Sequence, residues 1–250
     1  MRPEDLPRVL ARGLAPLYVI HGDEALLTLE TAQSIRDAAR EQGYGEREVL
    51  TVESGFDWSR LAMLGNSFSL FAEKKLIELR IPTGKPGVEG AKALEAQAGN
   101  LPPDTVIMVT LPRLDRTAQN SKWFKALTGA GEVIEARMIE RTQLPEWIAG
   151  RLARQKQRMS PEALGFLTDR VEGNLLAAHQ EIQKLALLHP EGELSLTDVQ
   201  AAIVNVARYD VFQLGAALLE GDKARFARML DGLRAEGEAP HLVLWALAEE

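Results

Sequence analysis

The chain reads Pro16-Leu17-Tyr18-Val19-Ile20-His21-Gly22-Asp23-Glu24 at the point that decides its fold. A short apolar run that ends in a turn is typical of a parallel strand buried on both faces of its sheet. The residues after it show small and apolar side chains at helical spacing, namely Ala25, Leu29, Ala32, Ile35 and Ala39. The stretch therefore predicts a strand, a turn and a helix, the opening unit of an α/β domain.

Further strands alternate with helices along the first half of the chain. Apolar or alternating runs predict strands at 48–52, 76–81, 105–111 and 133–136. Strands and helices that alternate at this spacing predict a three-layer α/β domain with a mostly parallel sheet. We assign this domain to residues 1–140.

Beyond about residue 140 the strand patterns end, and the chain is predicted to be all-helical. A helix at 142–158 is followed by Ser160-Pro161-Glu162, with a serine N-cap and proline at the first helical position. Thr197-Asp198-Val199-Gln200 has the form of a capping box for a later helix. We assign 141–210 to one helical domain and 211–250 to a further helical region. Its last helix runs to residue 250 without a cap, so we expect this region to be truncated.

Composition limits the classes of protein to which the chain can belong. It has 250 residues, a formal net charge of −7 and no cysteine, which excludes disulfides, thiol catalysis and cysteine-ligated metals. It has no apolar run long enough to span a bilayer and no signal-peptide pattern at its start, so we expect a cytoplasmic protein without membrane contact. The acidic balance argues against a free-standing nucleic-acid binder.

One segment departs from the acidic balance. Residues 137–158 carry six basic side chains against two acidic ones: Arg137, Arg141, Arg151, Arg154, Lys156 and Arg158, against Glu140 and Glu146. Two interpretations remain open, a solvated helix face and a surface that lies near DNA phosphates within a larger assembly.

The turn after the first strand is where an α/β domain of this kind would bind nucleotide phosphates. A phosphate-binding loop needs G-x-x-x-x-G-K-[ST], but residues 22–28 contain one glycine, no lysine and the carboxylates of Asp23 and Glu24. Two anions there would repel a triphosphate. The four histidines lack metal-ligand spacing, and Glu78 is expected to face outward, paired with Lys75 or Arg80. We therefore predict no catalytic residues, no metal and no cofactor.

A cluster of large apolar side chains lies between a predicted helix, capped by Asp57, and the strand at 76–81. Phe68, Leu70 and Phe71 stand among small polar residues and fit neither periodicity. Such residues either fill the core of their own domain or protrude into the pocket of a partner. Spacing alone favours the core, since most large apolar residues are buried.

The same segment resembles a known family. Ser69-Leu70-Phe71-Ala72-Glu73-Lys74-Lys75-Leu76-Ile77 is similar to the clamp-binding segment of the delta subunit of the bacterial DNA polymerase III clamp loader. Residues 17–27 resemble the opening motif of that family, and 122–127 a later helix. Glu172-Gly173-Asn174-Leu175-Leu176-Ala177 is the most specific match.

The resemblance implies an AAA+-like α/β domain, a helical lid and the start of a helical collar, without ATPase activity. It implies that Leu70 and Phe71, with Phe68 and Ser69, enter a hydrophobic pocket of the ring-shaped sliding clamp, the beta subunit. The other implied partners are the delta prime and gamma/tau subunits, and DNA through the assembled complex of the polymerase, a nucleotidyltransferase. The alternatives are an AAA+ ATPase with an atypical nucleotide site and a helical adaptor outside replication.

Overall fold

The computed structural model describes residues 1–66, 74–203, 209, 211 and 213–248. The chain divides into two compact units, Met1–Met138 and Ile139–Glu250. The division of the second unit at residue 210 stays a prediction. Among the residues that the structure describes, no helix is both long and apolar enough to cross a membrane.

The first unit is built on a five-stranded parallel sheet in the order β2-β3-β4-β1-β5. Its strands are β1 (Leu17–Gly22), β2 (Glu46–Thr51), β3 (Lys75–Arg80), β4 (Thr105–Pro112) and β5 (Glu132–Ala136). The first predicted strand, β1, lies between β4 and β5, and its residues 17–21 are all buried. This position explains its unbroken apolar run, because both faces of β1 are covered.

Helices cover both faces of this sheet. They are α1 (Leu6–Leu10), α2 (Ala25–Glu41), α3 (Ser59–Asn66), α4 (Gly87–Gly99), α5 (Arg116–Asn120) and α6 (Lys122–Ala130). One core cluster joins Leu17 and Val19 to side chains of α3, α4 and α6, and the other joins Tyr18 and Ile20 to α1 and α2. Alternate residues of one strand thus serve two separate cores. This confirms the predicted three-layer α/β domain with a parallel sheet.

The second unit is mostly helical, as predicted. Its helices are α7 (Leu144–Arg154), α8 (Pro161–Val171), α9 (Leu175–Leu188), α10 (Leu196–Ala202), α11 (Gln213–Leu219), α12 (Lys223–Glu236) and α13 (Pro240–Ala248). The Ser160 hydroxyl accepts a hydrogen bond from the Ala163 amide at 3.3 Å, which confirms the predicted N-cap of α8. The predicted capping box lies two residues earlier than expected, between Ser195 and Asp198.

The prediction of an all-helical second half was wrong in one detail. The structure contains a parallel pair of short strands, β6 (Gln157–Met159) and β7 (Gly192–Leu194). Helix α7 ends at Arg154 rather than near residue 158, because Lys156 takes a left-handed conformation (φ 56°). The buried Gln157 amide then donates to the carbonyl oxygens of His189 and Pro190, at 2.9 and 3.1 Å. Such long-range partners leave no periodic pattern in the sequence.

A charged network lies within the second unit. Glu172, at the end of α8, accepts hydrogen bonds from Arg225 of α12 (2.8 Å) and from Arg141 (2.8 Å). Asp169 pairs with Arg141 at 2.6 Å and with Arg228 at 3.0 Å. The network therefore ties α8 to α12 and to the segment before α7.

Candidate functional site

The four residues predicted to bind the clamp, Phe68, Ser69, Leu70 and Phe71, lie outside the described residues. Their roles stay a prediction. The structure does describe what comes before and after them: α3 ends at Asn66 and β3 begins at Lys75.

The elements on both sides of segment 67–73, which contains these four residues, are held in the first unit. The Asp57 carboxylate accepts a hydrogen bond from the Ser59 amide at 3.0 Å, at the start of α3, and Leu61 is buried in the core. Trp58 packs closely against α4, since a Cβ atom added to Gly90 would lie 2.3 Å from the indole ring. On the other side, β3 pairs with both β2 and β4. Segment 67–73 thus lies in the chain between a packed helix and an interior strand.

The turn after β1 is closed by hydrogen bonds within the protein. The backbone amides of Asp23 and Glu24 both donate to the carbonyl oxygen of Ala136 at 3.1 Å. Gly22 (φ 151°) brings the backbone so near that a Cβ atom would lie 1.9 Å from the same oxygen. These amides stand where a phosphate-binding loop would offer its own. They already have an acceptor.

Both carboxylates of the turn have defined partners. Asp23 accepts hydrogen bonds from Arg113 at 2.9 Å and from the Met138 amide at 3.0 Å. Glu24 is the N-cap of α2 and accepts from the Leu26 amide at 3.2 Å. Burial raises the pKa of Glu24 above its ordinary value, against the lowering effect of that hydrogen bond. The N-terminus of α2 is therefore occupied by a side chain of the protein, which opposes phosphate binding there.

The sequence interpretation of Glu78 was wrong about its exposure. The side chain was expected to face outward, paired with Lys75 or Arg80; it does approach Arg80, but it is 2% exposed. Arg47 donates to it at 2.6 Å, and Arg36 and Arg80 approach it at 3.4 Å. Arg36 is 42 residues distant in sequence, on α2, so no local pattern could have predicted this contact.

The Glu78 cluster predicts a pH dependence of stability. Burial alone would raise the pKa of Glu78, but the hydrogen bond from Arg47 and the nearby guanidinium charges hold it below its ordinary value. A carboxyl group whose pKa is lowered by folding stabilises the protein above its unfolded pKa, and this contribution is lost as pH falls through the folded pKa. Glu78→Gln should therefore lower the free energy of unfolding by roughly 1–3 kcal/mol at neutral pH.

Urea denaturation of both proteins from neutral to acidic pH tests this expectation. The difference between wild type and Glu78→Gln should shrink as the pH falls below the ordinary glutamate range. A difference that stays constant over that range would contradict the assigned ionisation.

Most described side chains of the basic segment 137–158 have partners. Arg137 pairs with Glu135 at 2.7 Å, Lys156 with Glu191 at 2.9 Å and Arg158 with Glu193 at 3.1 Å. Arg151 lies over the Trp147 ring, 4.6 Å from its centre. These contacts support the interpretation as a solvated face. Contact of this segment with DNA phosphates stays a prediction.

The structure brings none of the four histidines into a metal site within the described ranges. His21 is buried and packs edge-to-face on Phe124 with ring centres 5.5 Å apart. Burial lowers its pKa, so the neutral form is favoured. His21 acts as a core side chain.

The five-stranded parallel sheet covered by helices and the mostly helical second unit define a protein with an α/β unit followed by a helical unit. Residues 18–137 match the family model described as "DNA polymerase III, delta subunit". The DNA polymerase III subunit delta of Escherichia coli strain K12 is 32% identical over 248 residues, which cover 99% of this chain and 72% of that protein. The chain therefore belongs to the delta-subunit family of DNA polymerase III.

A second relative agrees with this assignment, and a solved structure agrees with the fold. The Haemophilus influenzae subunit delta is 30% identical over 99% of this chain and 73% of its own length. The solved structure of a Bacillus subtilis DNA clamp loader delta protein has the same fold, with a TM-score of 0.62 and 23% identity over 99% of this chain and 76% of that one.

Proposed function

We propose that this chain binds the sliding clamp through Leu70 and Phe71, with Phe68 and Ser69, and opens the ring during replication. The observation that carries the proposal is the 32% identity to a DNA polymerase III subunit delta along 99% of the chain. The similarity of residues 69–77 to the clamp-binding segment of that family supports the choice of residues.

The placement of segment 67–73 in the chain suits an interaction surface. A segment whose two ends continue into the packed helix α3 and the interior strand β3 has less conformational freedom to lose on binding than a segment tied at one end only. Burying the leucine and phenylalanine side chains in a partner would contribute roughly 1.5–3 kcal/mol each. Two neighbouring anchors of this size are enough to dominate a modest interface.

Ring opening follows from differential affinity. A ligand shifts an equilibrium by the difference between its affinities for the two states, so a chain that prefers the open clamp interface favours the open ring. This step needs binding energy and no ATP. We further propose that the chain acts beside the other clamp-loader subunits, delta prime and gamma/tau, and meets DNA within that complex.

Titration of the full chain with its cognate clamp by calorimetry tests the proposal directly, and an unloading assay on clamps loaded onto circular DNA tests ring opening. Saturable binding with faster clamp release is the expected result. The absence of binding to the clamp would reject the proposed function.

The absence of nucleotide turnover is part of the same proposal. Because the amides of Asp23 and Glu24 already donate to Ala136, and Glu24 caps α2, a triphosphate would have to displace contacts within the protein. We expect millimolar Mg-ATP to leave the melting temperature of the isolated chain unchanged. A ligand at 100 times its Kd would add about 2.7 kcal/mol, which is easily measured. A P-loop ATPase serves as the positive control, and a reproducible rise for this chain would favour the ATPase alternative.

A further inference from the structure

A second charged site lies on the first unit, where β2 forms the edge of the sheet and β3 is its neighbour. Three guanidinium groups, from Arg36, Arg47 and Arg80, surround the single carboxylate of Glu78 within 3.4 Å. One negative charge faces three positive ones, which leaves an excess of two positive charges. Neutralising a buried glutamate does not require three arginines.

The register of the strands explains why the side chains converge. Glu78 is opposite Val49, whereas Arg47 lies two residues before Val49 on β2 and Arg80 two residues after Glu78 on β3. Side chains at these positions share one face of the sheet. Arg47 and Arg80 therefore approach the Glu78 carboxylate from opposite directions along the strands, while Arg36 reaches it from α2.

The burial of these groups is asymmetric. The Glu78 side chain is 2% exposed, but Arg47 and Arg80 are 47% and 48% exposed. The negative charge lies inside, whereas two of the three positive side chains, Arg47 and Arg80, are half exposed and Arg36 is 19% exposed. β2, which carries Arg47, is an edge strand of the sheet.

Part of the donor capacity of the two outer arginines is unused in the described part of the chain. Arg47 donates through Nε to Glu78, and Arg80 through one Nη group. Each guanidinium carries five N–H donors in a planar fork that matches phosphate oxygens. Nearby acids have cations of their own: Asp37 pairs with Arg40, Glu46 with Lys75 and Glu48 with Arg60.

We propose that Arg47 and Arg80, held in place by Glu78 and supported by the charge of Arg36, form a binding site for a phosphate group. Membership of a DNA polymerase III family makes the DNA backbone the first source to test, and free inorganic phosphate is the second. The proposed phosphate site does not involve the clamp-binding residues. The experiment below can therefore refute this site without refuting the function proposed above.

The test uses the full chain and a labelled DNA duplex at about 50 mM salt, where phosphate contacts contribute strongly. Arg80→Gln removes a 3.4 Å contact and should leave the fold intact, which circular dichroism checks. We expect roughly three- to tenfold weaker DNA binding for this variant and at least about tenfold for Arg47→Gln with Arg80→Gln. The slope of log K against log salt should fall by about one per arginine removed.

Arg60→Gln is the matched control. Arg60 is also an exposed arginine beside β2, but it pairs with a single glutamate, Glu48, at 3.9 Å. Arg60→Gln removes the same formal charge as Arg80→Gln and should change DNA binding less than about twofold. A parallel melting series with inorganic phosphate tests the second source: stabilisation that is lost in the double variant, with DNA binding unaffected, assigns the site to free phosphate.

Two results would overturn the proposal. In the first, the double variant has the same DNA affinity and the same stabilisation by phosphate as Arg60→Gln. In the second, a polyglutamate peptide binds the wild type and loses binding in the double variant, while DNA and phosphate show no dependence on Arg47 or Arg80. The site would then take a protein carboxylate instead.

Discussion

Leu70→Ala combined with Phe71→Ala is expected to abolish binding to the sliding clamp and to leave the fold intact. If both side chains enter a pocket of the clamp, their loss removes roughly 3–6 kcal/mol of binding free energy. This corresponds to a Kd about 10² to 10⁴ times higher. Calorimetry measures the affinity, and circular dichroism of the same sample measures the melting temperature.

The matched control also removes two apolar side chains. Leu187 and Leu188 are adjacent, exposed leucines of α9 in the second unit. Leu187→Ala with Leu188→Ala should keep the clamp affinity of the wild type. If Leu70 and Phe71 instead filled the core of the first unit, the double variant would melt much earlier, because large-to-small core changes cost about 2–5 kcal/mol each. A stable variant that still binds the clamp would also contradict the prediction.

Glu172→Ala should lower the stability of the second unit strongly, and far more than Glu193→Ala does. Glu172 accepts hydrogen bonds from Arg225 at 2.8 and 3.2 Å, and its side chain and that of Arg225 are only 5% and 9% exposed. The variant leaves Arg225 with Glu220 alone, at 3.0 Å, and that carboxylate is mostly exposed. Removing one partner of a buried ion pair costs about 3–5 kcal/mol, and the exposed Glu220 carboxylate compensates only part of the charge that stays buried.

Native-state hydrogen exchange of the full chain is the suitable measurement, because a chain of two units need not unfold in a single step. Protection should fall in α8 and α12, the two helices that the ion pair joins. Glu193→Ala, which breaks the exposed pair with Arg158, is the control and should cost less than about 1 kcal/mol. Equal effects of the two substitutions would show that the buried pair contributes no special stability.

A double variant distinguishes the two contributions within this pair. Glu172→Leu with Arg225→Met replaces the buried ions by apolar side chains and should recover part of the stability lost in Glu172→Ala. A double variant as unstable as Glu172→Ala would indicate that the loss of stability comes mainly from altered packing around the pair. The buried charge of Arg225 would then contribute little to it.

The structure gives a physical interpretation to each part of the motif at 172–177, which the sequence matched to a family. Glu172 forms the buried ion pair with Arg225. Gly173 adopts a left-handed backbone conformation (φ 73°), and the Asn174 side chain caps α9 by accepting from the Ala177 amide at 3.1 Å. The turn and the cap are local features that such residue types favour. The ion pair joins residues 53 positions apart, which no local pattern could predict.

The sequence by itself determined the elements whose causes are local. An unbroken apolar run predicted β1, and a serine followed by proline predicted the start of α8. Apolar spacing predicted the helix α2, but Ala25 and Leu29 of the predicted stripe are exposed, and Leu26 and Leu27 are buried instead. These features depend on backbone periodicity and on hydrogen bonds between residues a few positions apart, so they can be read from neighbouring residues. The sequence also showed directly that the turn with Asp23 and Glu24 does not match a phosphate-loop motif.

Only the tertiary structure decided how distant segments meet. It placed β1 between β4 and β5, which brings Ala136 to the amides of Asp23 and Glu24. It also placed Arg36 and Arg47 around Glu78, which turned an expected surface residue into a buried anion beneath a cationic surface. The physical reason is that burial and charge pairing depend on which surfaces pack together. That outcome is a property of the whole chain and leaves no periodic signal in any single segment.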